Sequence, residues 1–159
     1  MQDLIIDPMK GESFTAAIIV SKFNLNITNQ LKQGAVKRLE EYGIKQSDLI
    51  IVEVPGAIEI PIIAQQIAKH GLAAVIIALG AVIRGETNHY DYVCAQVSEG
   101  CQRVALDYNI PVIFGVLTTE NESQAWERLN GKHGHKGREA ADTAVMMHNI
   151  MGQIERIAK

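Results

Sequence analysis

The segment Arg84–His89 gathers polar chemistry directly behind an apolar run. It reads RGETNH and follows the run Leu72–Ile83. Gly85 would let a ligand approach the backbone closely. Free backbone N–H groups at a helix start, together with the helix dipole, favour an anion such as phosphate. The alternative is that Thr87 or Asn88 only caps the helix that follows. The segment therefore predicts either a phosphate site or an ordinary helix start.

His89 falls in the first turn of the predicted helix. A helix N-terminus disfavours the cationic form of histidine. A neutral imidazole at the mouth of a site can act as a general base. An ordinary surface or capping histidine is the alternative, and the residue types alone do not decide between them.

Three other side chains have the chemistry to bind a ligand. Phe23 stands between a strand and the polar Asn24, so it could stack on a planar ring or belong to the rim of the core. Arg128 and Lys136 could bind phosphate or could be solvated surface charges.

The histidines of GKHGHKG and the two cysteines do not form a metal motif. His133 and His135 are two positions apart, and no HExxH is present. Cys94 and Cys101 lie on one predicted helix, separated by about 10 Å of rise, which is too far for a disulfide. We therefore expect no metal site and no disulfide.

Short apolar runs alternate with segments of helical periodicity along the whole chain. The predicted strands are Thr15–Ser21, Asp48–Val54, Leu72–Leu79 and Pro111–Val116, with Leu4–Ile6 as an additional short strand. The predicted helices are Ile27–Tyr42, Ala57–His70, Asn88–Tyr108, Asn121–Asn130 and Gly137–Ala158. This order predicts an α/β fold with a doubly wound four-stranded parallel sheet and helices on both faces. We expect residues 1–159 to form one domain, with 1–13 as an N-terminal extension.

The predicted sheet explains where the polar residues collect. Ligands of such sheets bind beyond the carboxyl ends of the strands. The segments that follow the four strands are 21–24, 55–59, 83–89 and 117–121, and they carry the aromatic, carboxylate, hydroxyl and imidazole groups. The fold therefore predicts one polar rim.

Composition excludes several classes of protein. The chain has 159 residues, 47% of them hydrophobic, and a net charge of -3. Neither a nucleic-acid nor a membrane partner is indicated, and the N-terminus does not resemble a signal peptide, so we expect a cytoplasmic protein. GxGxxG, Walker and GxSxG motifs are absent, which argues against dinucleotide, nucleotide-triphosphate and serine-hydrolase sites.

Four longer motifs carry a family resemblance. They are VPGAIEIP (54–61), ALGAVIRGETNHYDYV (78–93), IPVIFGVLTTEN (110–121) and GKHGHKGREAA (131–141). In this order they resemble the lumazine synthases of riboflavin biosynthesis, and the match runs from about residue 14 to the C-terminus. The resemblance implies a flavodoxin-like three-layer sandwich.

The resemblance also implies a reaction and an assembly. The reaction condenses 5-amino-6-(D-ribitylamino)uracil with 3,4-dihydroxy-2-butanone 4-phosphate, giving 6,7-dimethyl-8-ribityllumazine, phosphate and water. No metal or organic cofactor is implied. The implied assembly is a homopentamer with each active site between two subunits, and twelve pentamers can close into a 60-subunit shell. The GKHGHKG turn has the length seen in shell-forming members, whereas Pro8 would remove a hydrogen-bond donor from an N-terminal strand that pairs with a neighbour.

Site roles follow from the resemblance position by position. His89 matches the general acid/base. The positions matching the pyrimidine and ribityl site are Phe23, Asn24, Ala57, Ile58, Glu59, Val82, Ile83 and Phe114. Those matching the phosphate site are Gly85, Glu86, Thr87 and Arg128, with Lys136 and Glu139 close by. Phe114 and Arg128 are implied to reach the site of the neighbouring subunit.

Three positions depart from the family pattern. Ile58 stands where an aromatic is frequent, Glu86 where a small residue is usual, and His135 where an asparagine is usual. A carboxylate beside a phosphate repels it, so the resemblance implies only a backbone role for Glu86. The competing interpretations are a riboflavin-synthase-like enzyme of the same fold and a non-catalytic flavin- or lumazine-binding protein.

Overall fold

Four parallel strands form one sheet at the centre of the protein. The computed structural model describes residues 1–7, 11–130 and 132–159. The strands are β1 (Ala16–Ser21), β2 (Leu49–Val54), β3 (Val75–Ile83) and β4 (Val112–Thr119), in the order β2-β1-β3-β4. The predicted parallel sheet is confirmed.

Helices pack on both faces of this sheet, as predicted. They are α1 (Leu25–Glu41), α2 (Ile60–Lys69), α3 (His89–Tyr108), α4 (Glu122–Asn130) and α5 (Lys136–Ala158). Short 3-10 turns cover Gln46–Asp48 and Ala57–Glu59. Successive side chains of β1 point to opposite faces, because a strand has a period of two. Ile18 and Val20 join the core beneath α1, α4 and α5, whereas Ala17 and Ile19 join the core beneath α2 and α3.

Two strands extend further than predicted, and β3 also begins later than predicted, at Val75 instead of Leu72. β3 continues from Leu79 to Ile83, and β4 continues from Val116 to Thr119. Val82 pairs with Thr118, and Ile83 pairs with Thr119. Backbone pairing does not require apolar side chains, so the pattern of apolar residues could not show that β4 continues through Thr118 and Thr119.

Helix α2 begins later than predicted. Ala57–Glu59 form a 3-10 turn, and the α-helix starts at Ile60 with Pro61 in its first turn. Proline is favoured in that position because it has no N–H to leave unpaired. The predicted start at Ala57 was wrong by three residues.

The N-terminal residues 1–7 form no strand within the chain, so the predicted strand Leu4–Ile6 is wrong for the isolated subunit. Ile5 instead lies against α5, where its N–H donates to Gln153 Oε1 at 2.9 Å and its carbonyl accepts from Gln153 Nε2 at 2.6 Å. The side-chain amide of Gln153 thus makes the two hydrogen bonds that a neighbouring strand would make with the backbone of Ile5. Pairing of residues 1–13 with another subunit stays a prediction, and Pro8 lies outside the described residues.

Both cysteines are free thiols. Cys101 is buried among the side chains beneath α2 and α3, and burial raises the pKa of its thiol to about 11. Cys94 and Cys101 are not joined to each other in the chain.

His135 caps α5 with its imidazole. Its Nδ1 accepts hydrogen bonds from the N–H groups of Gly137 at 3.1 Å and Arg138 at 3.3 Å. The ring lies over Gly34 of α1, where a Cβ would collide with it. His135 therefore takes over the capping role that asparagine or aspartate most often has.

Replacing His135 with asparagine is expected to weaken the pH dependence of stability. Burial lowers the pKa of His135 from its ordinary value of 6.5, and a protonated Nδ1 cannot accept the capping bonds. The unfolded chain therefore binds more protons, so this contribution is complete above the ordinary pKa and is lost as the pH falls. Asparagine retains a cap, which contributes about 1 kcal/mol, without titrating.

Urea unfolding at about pH 7.5 and pH 5 would measure this effect. We expect a smaller loss of unfolding free energy at low pH for His135→Asn than for the unchanged chain. Burial also lowers the pKa of His148, which contributes with the same sign in both chains. Equal losses in the two chains would contradict the capping role.

Candidate functional site

A cavity of ≈ 370 Å³ opens at the carboxyl ends of β1 and β3. The chain passes from β1 outward to β2 and then returns to β3 on the other side of β1, so this is the point where the strand order reverses. The lining residues are Phe23, Gly56, Ala57, Ile58, Glu59, Ala81, Val82, Ile83, Gly85, Thr87, His89, Tyr90 and Val93. We call this the switch-point cavity.

The end of β1 presents Phe23 to the cavity. The Phe23 side chain is 71% exposed, so it lies on the rim and is not part of the core. Asn24 next to it has a left-handed backbone (φ 61°), which asparagine tolerates better than most residues. Its Nδ2 donates to the Ala81 carbonyl at 2.8 Å, which joins the end of β1 to β3. The backbone beside Phe23 is thus held in place, and the exposed ring is free to stack.

The 3-10 turn after β2 supplies the next part of the wall. Ala57 is buried, whereas Ile58 and Glu59 are exposed. A Cβ at Gly56 would lie 3.2 Å from Glu59 Oε2, so the carboxylate sits close over the glycine backbone. The turn therefore offers a backbone edge, an apolar side chain and a hydrogen-bond acceptor.

The segment between β3 and α3 forms the remaining wall. Gly85 has open space where a side chain would be, and Thr87 Oγ1 accepts from His89 N–H at 3.3 Å. Asn88 makes no side-chain cap, so Thr87 is the residue that covers the first amide of α3. Glu86 is exposed and does not line the cavity. The segment keeps a backbone surface open beside His89.

A second cavity, of ≈ 440 Å³, holds the other predicted ligands. It lies between the end of β4, α4 and the start of α5, and we call it the β4 cavity. It is lined by Val116, Leu117, Thr118, Thr119, Gln124, Glu127, Arg128, His133, Lys136 and Glu139. Phe114 is half-buried in β4 and lines neither cavity. One chain therefore does not bring Arg128, Lys136, Glu139 or Phe114 into the same cavity as His89.

Sequence reasoning missed several residues of the switch-point cavity. Gly56, Ala81, Tyr90 and Val93 line it but were not among the candidates. Val93 lies one helical turn after His89, so the two share a face of α3. That spacing was the signal available in the sequence for Val93.

Within the described ranges, the structure contains neither a candidate metal centre nor a helix that could span a membrane. No group of three or more His, Cys, Asp or Glu side chains there could hold a metal ion. None of the helices in those ranges combines the length and hydrophobicity needed to cross a membrane.

Comparison with known proteins identifies the family of the chain. Residues 13–152 match the family model of 6,7-dimethyl-8-ribityllumazine synthase. The 6,7-dimethyl-8-ribityllumazine synthases of Coxiella burnetii strains CbuG_Q212 and RSA 493 / Nine Mile phase I are each 50% identical over 147 residues, covering 92% of this chain and 97% of that protein. These matches confirm the resemblance seen in the motifs. The chain belongs to the 6,7-dimethyl-8-ribityllumazine synthase family.

Proposed function

We propose that this protein condenses 5-amino-6-(D-ribitylamino)uracil with 3,4-dihydroxy-2-butanone 4-phosphate to form 6,7-dimethyl-8-ribityllumazine, phosphate and water. Family membership supports the reaction. The observation that supports roles for particular residues is the switch-point cavity, which is lined by an exposed aromatic ring, a carboxylate and an imidazole.

The pyrimidine substrate binds along the β1 and β2 sides of that cavity. Phe23 stacks on the heterocyclic ring, and Asn24 fixes the loop that carries it. The Ala57–Glu59 turn holds the ribityl chain, with Glu59 accepting hydrogen bonds from its hydroxyls and Ile58 packing over it. Val82 and Ile83 contribute backbone groups at the ring edge.

The phosphate-bearing substrate lies against the segment between β3 and α3. Gly85 and Thr87 offer backbone N–H and hydroxyl donors near the positive end of α3. Glu86 contributes only its backbone, since its carboxylate is outside the cavity. His89 moves protons during imine formation, phosphate elimination and ring closure.

The second half of the site comes from a neighbouring subunit. Arg128, Lys136 and Glu139 share the β4 cavity, which in one chain is separate from the cavity containing His89. In a cyclic homopentamer, each subunit would offer its β4 cavity and Phe114 to the next. The pentamer and a cytoplasmic location belong to this proposal, and sedimentation distinguishes a pentamer from a 60-subunit shell.

Mixing the purified protein with both substrates and following the fluorescence of the product tests the reaction. We expect product to form faster than in the same mixture without protein. A rate equal to the spontaneous rate would refute the enzyme, and binding of the product without turnover would indicate a non-catalytic binding protein.

Replacing His89 with glutamine is expected to reduce kcat about a hundredfold, the lower end of what general acid–base catalysis contributes. The loss is partial because the backbone donors and the stacking surface remain. Measuring kcat across pH is the test, with His70→Gln, an exposed histidine outside both cavities, as the control. An unchanged pH profile would remove His89 from the mechanism.

A further inference from the structure

We propose that Arg84 is a positioning residue, which holds the segment from Gly85 to His89 in the shape that binds the phosphate-bearing substrate. The proposal rests on the proposed function and adds a residue that contacts neither substrate. Its basis is a set of contacts that joins three separate parts of the chain.

Arg84 binds two carboxylates from different elements. Its Nη2 is 3.1 Å from Asp91 Oδ1 in the first turn of α3, and its Nε is 2.8 Å from Glu120 Oε2 in the connection after β4. The guanidinium carbon lies 4.3 Å from the centre of the Tyr90 ring. One planar side chain thus fixes α3 and the β4–α4 connection relative to the end of β3.

The backbone of Arg84 strengthens the same junction. Its N–H donates to the Thr119 carbonyl at 2.9 Å, so main chain and side chain are anchored to the same side of the sheet. Arg84 is therefore the last firmly fixed residue before the segment that faces the substrate.

Few other hydrogen bonds hold the segment from Gly85 to Asn88 in the part of the chain that the structure describes. Residues 85–88 are exposed. In the described ranges, their hydrogen bonds are local, from His89 N–H to Thr87 and from Asp91 N–H to Asn88. The position of the segment therefore depends on the residues at its two ends. Arg84 is joined to both ends, because it directly follows β3 and its side chain pairs with Asp91 of α3.

The guanidinium is not itself the phosphate ligand in this arrangement. Tyr90, whose ring packs against the guanidinium, lines the switch-point cavity, and Arg84 does not. Its Nε and Nη2 are already paired with two carboxylates. Arg84 acts by placing Gly85, Thr87 and His89.

Loss of Arg84 should affect the position of the substrate-facing segment and the stability of the fold to different extents. Asp91 and Glu120 are well exposed, and exposed ion pairs add little to global stability. A shift of the substrate-facing segment by even 1 Å, in contrast, has a large effect on reaction geometry. Loss of Arg84 should therefore change substrate use much more than folding.

The test compares Arg84→Met with Arg103→Met. Arg103 is also an arginine that pairs with an aspartate, Asp107, but on the exposed surface of α3. We expect Arg84→Met to raise the KM for the butanone phosphate about tenfold, with the pyrimidine KM and the melting temperature almost unchanged. Arg103→Met should leave all three values as they are, and Arg84→Lys should recover only part of the loss because lysine lacks the planar fork.

A second variant keeps Arg84 and removes its partners. Asp91→Asn with Glu120→Gln should raise the same KM in the same direction. The proposal is overturned if Arg84→Met behaves like Arg103→Met, if both substrate KM values rise equally, or if the loss follows a fall in melting temperature.

Binding of inorganic phosphate, measured by calorimetry, separates this proposal from the proposed reaction. Should the unchanged protein make no lumazine, the reaction fails, but weaker phosphate binding by Arg84→Met than by Arg103→Met would still support positioning by Arg84. Equal phosphate binding by these two variants, or none by the unchanged protein, would overturn it.

Discussion

Replacement of Arg128 by methionine is expected to raise the KM for the butanone phosphate by about ten- to a hundredfold. A hydrogen bond to a charged group contributes about 1.5–3 kcal/mol, and each 1.4 kcal/mol is a factor of about ten. The KM for the pyrimidine should not change, because in the proposed site Arg128 binds the phosphate whereas the pyrimidine stacks on Phe23. Steady-state kinetics with each substrate varied in turn measures both values, and an unaltered KM for the phosphate substrate would exclude Arg128 from the site.

The same variant can show whether the site is shared between subunits. Chains carrying Arg128→Met and chains carrying Phe23→Ala would each be defective. If one site combines the switch-point cavity of one subunit with the β4 cavity of the next, a mixed 1:1 assembly contains about a quarter of fully native sites, because the interface is heterologous. Activity should therefore return on mixing. If the mixed assemblies sediment like the unchanged protein but recover no activity, the site is built within one chain.

Replacement of Gly137 by alanine is expected to reduce the free energy of unfolding by about 3 kcal/mol, the upper range for overpacking a close contact. Gly137 is buried in the first turn of α5, and an added Cβ would collide with the backbone carbonyl of Leu31 in α1. Relief would require the two helices to move apart, because a backbone group cannot rotate away as a side chain can. Urea unfolding is the measurement.

Gly152, in the same helix, is the matched control. A Cβ there would meet only the Arg156 Nη1 at 3.5 Å, an ordinary contact with a flexible side chain. Gly152→Ala should be neutral or should stabilise the helix by up to about 1 kcal/mol, because alanine favours helix more than glycine does. Equal destabilisation by both substitutions would contradict the close contact between Gly137 and the backbone of Leu31.

The order of strands and helices could be predicted from the sequence, but the ends of several elements could not. Apolar runs mark a buried strand well, which is why β1 and β2 were placed within a residue of their bounds. The last residues of β4, including Thr118 and Thr119, are polar and are held in the ladder by backbone pairing. The Leu4–Ile6 prediction failed for a related reason, since a strand requires a partner strand that the single chain does not offer.

The part of the candidate site that forms the switch-point cavity could be predicted from the sequence. The strand-end rule grouped Phe23, Glu59 and His89 correctly, because β1, β2 and β3 are adjacent. It also added the residues after β4, although β4 is two strand spacings, about 10 Å, from β1. Hydrophobic pattern gives the order of strands along the chain but not their lateral separation, so it could not divide the rim into two cavities.

The bonds between Ile5 and Gln153 also have a consequence for engineering. The four residues before Ile5 and the six after Gln153 therefore start side by side along α5. Adjacent termini permit circular permutation. A short linker could join Lys159 to Met1, with new ends opened at Gly71, where the chain turns between α2 and β3 on the side opposite the switch-point cavity. A cargo fused there would leave the reacting rim unobstructed.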